Sequence, residues 1–306
     1  MNFPHLQGRE QLLRPLGFTR KQAEWITLVC LHSGIFTQEQ VEAFLGASQQ
    51  AASSFVQRLL PKRIARRPVV SDQITDHRLV CRISNKAVYR ALDIANVRHR
   101  RESSIEVTRR RLLSLDFVLD HPDQPWLPTE PEKVACFTQL GIAPELLPKR
   151  IYAGRAQGRI RYFHIKMPIA VGPDRAVFVY IDPGMGTRTE LDSWGEAHRE
   201  LWNKLRQAGR RVEVVAAAWE HKHLDRADRR LQSWVGSPAG EASQQAALLR
   251  QAIADADWDT VERHGGLDVV TDKIDQWEQE APGPNGRGMI DDFVLWGSTR
   301  CRTREL

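Results

Sequence analysis

Near the beginning of the chain, two helix starts carry the same capping pattern. Thr19 is followed by Gln22, and Thr37 is followed by Gln40. At this spacing the threonine hydroxyl and the glutamine amide satisfy backbone groups that the first turn of a helix leaves unpaired. The first helix is expected to end near Gly34, because glycine adopts the left-handed conformation at low cost. The pattern therefore predicts two consecutive helices joined by a short turn.

A third predicted helix has one apolar face and one polar face. Ser48 is placed to cap it and Pro61 to end it. Its predicted buried stripe is Ala51, Ala52, Phe55, Val56, Leu59 and Leu60. Its opposite face is Gln49, Gln50, Ser53, Ser54, Gln57 and Arg58. Amide and hydroxyl groups can make paired hydrogen bonds with base edges in the major groove, whereas a merely solvated face more often carries Glu and Lys.

Basic residues surround a predicted hairpin that follows this helix. Two extended runs, Pro68 to Val70 and Arg78 to Ser84, flank a polar turn. The basic side chains placed to hold phosphates are Lys62, Arg63, Arg66, Arg67 and Arg78. Three helices followed by a basic hairpin are typical of a winged helix-turn-helix, so residues 1–95 are predicted to bind double-stranded DNA. A winged helix that instead binds another protein is the alternative.

The distribution of charge favours a polyanionic partner for the same part of the chain. The formal net charge is +6, but residues 51–115 carry 15 Lys and Arg against 5 Asp and Glu, and residues 241–292 carry 4 against 12. No apolar run is long enough to span a bilayer, and the first residues lack the apolar core of a signal peptide. The four cysteines lack metal-type spacing. These features predict a cytoplasmic protein with no membrane partner.

The remaining sequence suggests a helical connection and then an α/β domain. In residues 96–150, His99 to Asp120 reads as one arginine-rich helix, which is either a solvated linker or a helix that follows the DNA backbone. Residues 151–306 contain predicted strands and one long helix before a helical carboxyl-terminal part. The strands are Arg161 to Ile169, Ala176 to Ile181 and Val212 to Trp219, and the helix is Thr189 to Ala208. The predicted fold class is α+β, with a winged helix-turn-helix before an α/β domain that has a small mixed sheet.

Two stretches of the chain resemble the replication-relaxation family of plasmid and mobile-element proteins. They are Phe18 to Ile83, and Gly172 to Gly184 together with the following helix and the strand Arg211 to Ala218. The resemblance implies an amino-terminal winged helix before a domain similar to the PD-(D/E)xK nucleases. It also extends to DNA-binding regulators of conjugative elements that are built in the same way.

A nuclease of this type uses two acidic groups to hold a divalent metal and a lysine to activate or position the attacking water. By the resemblance, Asp174 and Asp182 match the acids, whereas Gly184 stands at the lysine position. Glycine cannot stabilise the attacking hydroxide or the developing phosphorane charge. The predicted site is therefore broken unless Lys204, on the following helix, replaces the lysine. The protein is expected not to be an enzyme and to need no cofactor, with Mg²⁺ bound only if it is a nuclease.

Two further patterns admit a functional and a structural interpretation. The cluster from Glu220 to His223 with Asp225 has metal-ligand types, but neighbours in sequence rarely converge on one ion, so a helix cap is favoured. Tryptophans of the second half could stack on single-stranded bases. The helical spacing of Trp194, His198 and Trp202 instead favours packing in a core or dimer.

Together these patterns predict a sequence-specific double-stranded DNA-binding protein that regulates transcription of a mobile genetic element. The second domain is expected to form a homodimer, which would require a two-fold DNA site. The enzyme-class alternative is a metal-dependent DNA nicking or relaxation activity, or a plasmid replication factor.

Overall fold

The computed structural model describes residues 3–6, 8–68, 80–95, 97–152, 159–187, 189–235, 241–280 and 288–300. The chain packs as a larger unit, residues 1–228 and 294–306, and a smaller unit, residues 229–293. Both predicted domain boundaries, after residues 95 and 150, fall inside the larger unit. The fold combines helices with small sheets, which confirms the α+β class at this level.

The helices and strands are numbered in chain order. The α-helices are α1 (Arg20–His32), α2 (Gln38–Leu45), α3 (Gln49–Leu59), α4 (Lys86–Ala91), α5 (Ile105–Asp120), α6 (Glu130–Gln139), α7 (Glu190–Gln207), α8 (His221–Gln232), α9 (Glu241–Ala254), α10 (Trp258–Arg263) and α11 (Leu267–Glu280). The strands are β1 (Ile35–Thr37), β2 (Ala65–Arg66), β3 (Val80–Ile83), β4 (Lys149–Tyr152), β5 (Arg159–Tyr162), β6 (Ile169–Val171), β7 (Arg175–Asp182), β8 (Arg211–Ala218) and β9 (Asp292–Gly297). Short 3-10 helices lie at Pro4–Leu6, Arg9–Leu16, Arg98–Arg100 and Pro144–Leu146.

The first three helices begin where the capping patterns predict them. Thr19 and Thr37 each accept a hydrogen bond from the backbone three residues on, in complete capping boxes, and Ser48 caps α3 by accepting from the backbone N–H of Ala51. Strands β1, β3 and β2 form an antiparallel sheet in that order. Sequence analysis missed β1, because three residues are too few for a periodic pattern.

Helix α5 lies in the interior of the larger unit. Residues 112–119 are all buried, and α5 contacts α1, α2, β1, β7 and β8. Its arginines are engaged within the protein. Arg110 pairs with Glu106 and Glu190, and Arg111 donates to the Ser103 hydroxyl at 2.9 Å. The two interpretations from the sequence, a solvated linker and a helix that follows the DNA backbone, both disagree with this buried and internally bonded position of α5.

The main sheet has the strand order β6-β7-β8-β9 and is mixed. β7 is antiparallel to β6 and parallel to β8, with Arg175 opposite Arg211 and Asp182 opposite Ala218 at its two ends. Two parallel neighbours need a crossover, and α7 provides it. On α7, Trp194, His198 and Trp202 are buried and pack against the β7 side of the sheet. This agrees with the core interpretation of the tryptophan spacing.

Several predicted segments differ from the structure. The run Arg161 to Ile169 is not one strand, because β5 ends at Tyr162, β6 begins at Ile169, and β5 pairs only with β4. β9 lies in the part predicted to be helical. β2 precedes the predicted run at Pro68, while Val69, Val70 and Arg78 lie outside the described residues. Ala51, expected in the buried stripe of α3, is exposed in the first helical turn.

The smaller unit has its own apolar core, formed between α9, α10 and α11. Its buried members are Leu249, Ala252, Val261, Val270 and Ile274. None of the helices in the described part of the chain has the length and apolar character needed to cross a membrane.

Candidate functional site

The predicted base-contacting residues lie together on one face of α3. Ala52, Phe55, Val56 and Leu59 turn the opposite face into the core. Because residues three and four apart share a helix face, the polar residues form two adjacent rows. Those that are exposed are Gln49, Gln50, Ser54, Gln57 and Arg58, and Ser53 is half-buried.

The turn between α2 and α3 fixes the direction of this face. Gly46 ends α2 with φ +60°, and its N–H donates to the Glu42 carbonyl at 2.9 Å. Gln38 then ties the start of α2 to the start of α3, because its amide nitrogen donates to the Gln49 carbonyl oxygen at 3.2 Å. These local bonds hold the amino-terminal end of α3 against α2 and leave its polar rows open.

α3 lies in a stretch of the chain that has no acidic residue, and most of the basic residues of this stretch follow the end of α3. Residues 43–68 contain five basic residues and no Asp or Glu. Lys62, Arg63, Arg66 and Arg67 are exposed, and none of them forms an ion pair with another residue that the structure describes. The fifth candidate for a phosphate contact, Arg78, lies outside the described residues. The four described side chains can therefore offer positive charge to an external anion.

The three candidate nuclease residues are not brought together. Asp174 precedes β7 and Asp182 ends it. Eight extended residues separate their Cα atoms by about 26 Å, so the two carboxylates cannot share one metal ion. Lys204 is exposed on the last turn of α7, where its Nζ lies 3.1 Å from Gln207 Oε1. Because α7 returns from the Asp182 end of the sheet, Lys204 also lies far from Asp182.

A different group of side chains surrounds Asp182 at the carboxyl ends of β7 and β8. The Asp182 carboxylate accepts a hydrogen bond from the Gly184 N–H at 2.7 Å. The buried His223 ring places Nδ1 3.3 Å from Asp182 Oδ2 and Nε2 3.9 Å from Glu220 Oε2. Gly184 has φ +78°, and a Cβ there would lie 3.3 Å from His223 Nε2. A lysine at position 184 would therefore be strained as well as crowded.

Two arginines of α5 also reach this region. Arg110 bridges Glu106 and Glu190, at 3.0 Å and 2.5 Å. Burial raises the pKa of Glu190, and the Arg110 guanidinium opposes that shift. Arg109 lies 5.3 Å from the Trp219 ring centroid, and burial lowers the pKa of its guanidinium. These contacts make the group around Asp182 an internal network.

The cluster from Glu220 to His223 with Asp225, for which the sequence favours a helix cap over metal binding, lies in the same region. His221 and Asp225 are exposed, whereas His223 turns inward to Asp182. Among the described residues, no group of three or more His, Cys, Asp or Glu side chains is arranged to hold a metal ion. The contact between His223 and Asp182 was missed, because no local pattern links the end of β7 to the first turn of α8.

The larger unit also contains a broad cleft that sequence analysis missed. Its volume is about 1220 Å³, and Arg9, His99 and Lys133 are among its lining residues. Lys133 is buried, its Nζ donates to the Met167 carbonyl oxygen at 2.7 Å, and burial lowers the pKa of its ammonium group to about 7. In the sequence Lys133 looks like an ordinary surface lysine of an amphipathic helix.

Comparison of the chain with models of protein families gives no match. Searches of curated proteins and of solved structures also give no match. The features that bear on function are therefore the exposed face of α3, the basic segment after it and the arrangement around Asp182.

Proposed function

We propose that this protein binds a specific site on double-stranded DNA in the cytoplasm and regulates transcription of a mobile genetic element. The observation that carries the proposal is the polar face of α3 beside an acid-free basic segment. Amides can pair with adenine, arginine with guanine, and the basic segment can hold flanking phosphates. α3 is then the helix that enters the major groove.

A winged helix-turn-helix over residues 1–95 is part of this proposal. Its support is the element order α1, β1, α2, α3, β2, β3, together with the antiparallel sheet order β1-β3-β2. The core beneath the sheet contains Ile35, Val80 and Leu112. Most of the proposed wing, between β2 and β3, lies outside the described residues, so the wing and the phosphate contact of Arg78 stay predictions.

For the α/β part, we propose a nuclease-like fold that has lost the nuclease chemistry. Its support is the mixed sheet with the α7 crossover, the separation of Asp174 from Asp182, and the left-handed backbone of Gly184. A homodimer would present two copies of α3 to a two-fold DNA site. The resemblance to the replication-relaxation family enters as a proposal on the same grounds.

The decisive experiment measures fluorescence anisotropy of labelled DNA from the gene's own upstream region and of scrambled DNA, at physiological salt with Mg²⁺. We expect the upstream DNA to bind about 10³-fold more tightly or better. Gln50→Ala and Gln57→Ala should each lose about 1–3 kcal/mol of specific binding, because paired contacts with a base are worth this much. Gln139→Ala removes an exposed amide from α6 and serves as the matched control.

Three other outcomes would redirect the proposal. Equal weak binding to both DNAs, unchanged by Gln50→Ala and Arg66→Ala, would indicate a protein-interaction module. Nicked DNA on a gel run after the titration, lost on Asp182→Ala, would indicate a metal-dependent nicking or replication enzyme. A monomer on the DNA, measured by sedimentation, would contradict the dimer alone.

A further inference from the structure

The β4–β5 ribbon is an exposed pair of strands separate from the main sheet. β4 and β5 are antiparallel and pair only with each other among the described strands. Every residue of β4 is exposed, and so is Ile160 on β5. A two-stranded ribbon has no core of its own and is marginally stable in water. Something outside the ribbon must therefore hold it in place.

The anchor of the ribbon is Glu130, in the first turn of α6. Its carboxylate accepts a hydrogen bond from the Tyr162 N–H at 2.9 Å and one from the Arg161 guanidinium at 3.1 Å. At the same end, the Phe163 N–H donates to the Pro148 carbonyl at 2.7 Å, and the Phe163 side chain is buried. The ribbon is thus fixed at its base, while the β4 side chains remain open to solvent.

The chain around the ribbon is basic and contains no acid. Residues 146–173 include no Asp or Glu, and they carry six Lys and Arg residues. Lys149 and Arg150 are exposed and form no ion pair with another described residue; Lys149 Nζ instead donates to the Glu145 carbonyl at 2.9 Å. This segment is the counterpart, in the α/β part, of the acid-free segment after α3.

The register of the ribbon places one pair of like charges, Arg150 and Arg161, opposite each other. Arg150 faces Arg161, and Tyr152 faces Arg159 two residues further along β4, with the Ile151–Ile160 pair between them. Like charges directly opposite destabilise a pair of strands, and Glu130 compensates only one member of the first pair. The Arg150 guanidinium lies 5.3 Å from the centroid of the Tyr152 ring, which holds it on its own face of the ribbon. An external anion would relieve the repulsion that the fold leaves in place.

We infer that the β4–β5 ribbon is a second DNA-contacting element, in which Lys149 and Arg150 hold phosphates of duplex DNA. This inference rests on the proposed function, because it assigns the same ligand to a second surface. Lys149 and Arg150 are neighbours on the exposed strand β4, so their side chains project to opposite faces of the ribbon. A polyanion with many phosphates can meet both cations, whereas a single small anion cannot. The ribbon contributes affinity but no sequence preference, since phosphate contacts carry no base information.

The test compares the salt dependence of binding to a labelled random-sequence duplex of about 40 base pairs, long enough for phosphate contacts beyond a single site. In Lys149→Ala/Arg150→Ala, the slope of log K against log salt should become less negative by about 1.8, at about 0.9 per phosphate contact. Affinity near 0.1 M salt should fall by roughly 50-fold. Both side chains are exposed, so an unchanged thermal midpoint checks the fold.

The control is Arg175→Ala/Arg199→Ala, which removes the same charge from an exposed and a half-buried arginine, paired with Glu213 and Glu196 respectively. Its slope should stay that of the wild type. Equal changes in both double variants would overturn the inference, because net charge would then be the cause. Lys149→Arg/Arg150→Lys keeps the charges and should keep the slope.

The inference and the proposed function can fail separately. If the wild type prefers its own upstream DNA, Gln50→Ala reduces the preference, and the ribbon variant keeps the wild-type slope, the ribbon inference is refuted and the proposed function stands. If the wild type does not bind duplex DNA at all, both are refuted. If only the ribbon variant changes the slope, and Gln50→Ala has no effect on the preference, the ribbon contact stands and the assignment of α3 is refuted.

Discussion

Replacement of Asp116 by asparagine should change how stability depends on pH. Asp116 is fully buried on α5. Gln40 donates to its Oδ1 at 2.7 Å and the Ser298 hydroxyl to its Oδ2 at 2.8 Å. Burial nevertheless raises the pKa of this carboxyl group to about 6, against the opposing effect of both hydrogen bonds and of Arg300.

The sign and size of the effect follow from proton linkage. The folded protein holds the Asp116 proton more tightly than the unfolded chain does, so the free energy of unfolding falls as pH rises from about 4 to about 6. A shift of about two pKa units corresponds to about 3 kcal/mol. Asparagine can still accept from Gln40 and can donate to the Ser298 hydroxyl, but it carries no titrating proton. Asp116→Asn should therefore abolish this pH-dependent fall in the free energy of unfolding.

Urea unfolding followed by tryptophan fluorescence, between about pH 4 and about pH 7, measures the difference. We expect the stability of Asp116→Asn relative to wild type to rise by about 2 kcal/mol across this range. Asp123→Asn, which removes an exposed carboxylate close in sequence, should give a curve parallel to that of the wild type. If the Asp116→Asn curve is also parallel, or if its advantage grows toward acid pH, the burial argument is refuted.

Three further predictions concern the free energy of unfolding, measured by the same method. Gly34→Ala should cost about 3 kcal/mol, because φ is +74° there and the added Cβ would lie 2.5 Å from the His99 Cβ. Gly46→Ala should cost about 1 kcal/mol, because no atom lies within 4 Å of its added Cβ. Equal costs for the two variants would contradict this. Trp202→Ala should cost about 3–5 kcal/mol, since the ring is fully buried, and a loss under about 1 kcal/mol would rule out that packing. Lys133→Met should stabilise the protein most below about pH 7, because the buried Lys133 ammonium group is charged in the folded state at that pH. A gain in stability confined to alkaline pH would refute the lowered pKa of Lys133.

The parts of the fold that could be predicted are those whose information is local. The starts of α1, α2 and α3 are set by hydrogen bonds within a few residues, so Thr19, Thr37 and Ser48 are sufficient signals. β1 and β9 could not be predicted in this way, because each is short and joins a strand that is distant in sequence. Pairing over such distances depends on tertiary packing, which no window of residues contains.

The same distinction separates the two candidate sites. The exposed face of α3 follows from helical periodicity alone, and the structure keeps its polar residues together. The pairing of Asp174 with Asp182 came from a resemblance, although an eight-residue strand between them already implies a separation of about 26 Å. The contact of His223 with Asp182 needs the crossover between β7 and β8, and only the folded chain provides it.

The positive charge that the surface can offer to an external anion is likewise set by the neighbours of each basic residue rather than by the count. The excess in residues 51–115 includes Arg110 and Arg111, which the fold pairs or bonds internally. The exposed basic side chains that form no ion pair with another described residue include Lys62, Arg63, Arg66, Arg67, Lys149 and Arg150, and these lie in two stretches without any acid, residues 43–68 and 146–173. A charge count over a window that spans several helices and strands, such as residues 51–115, adds internally paired arginines to exposed ones. Substitutions in α5 should consequently lower stability before they lower DNA affinity, whereas substitutions at Arg66 or Arg150 should do the reverse.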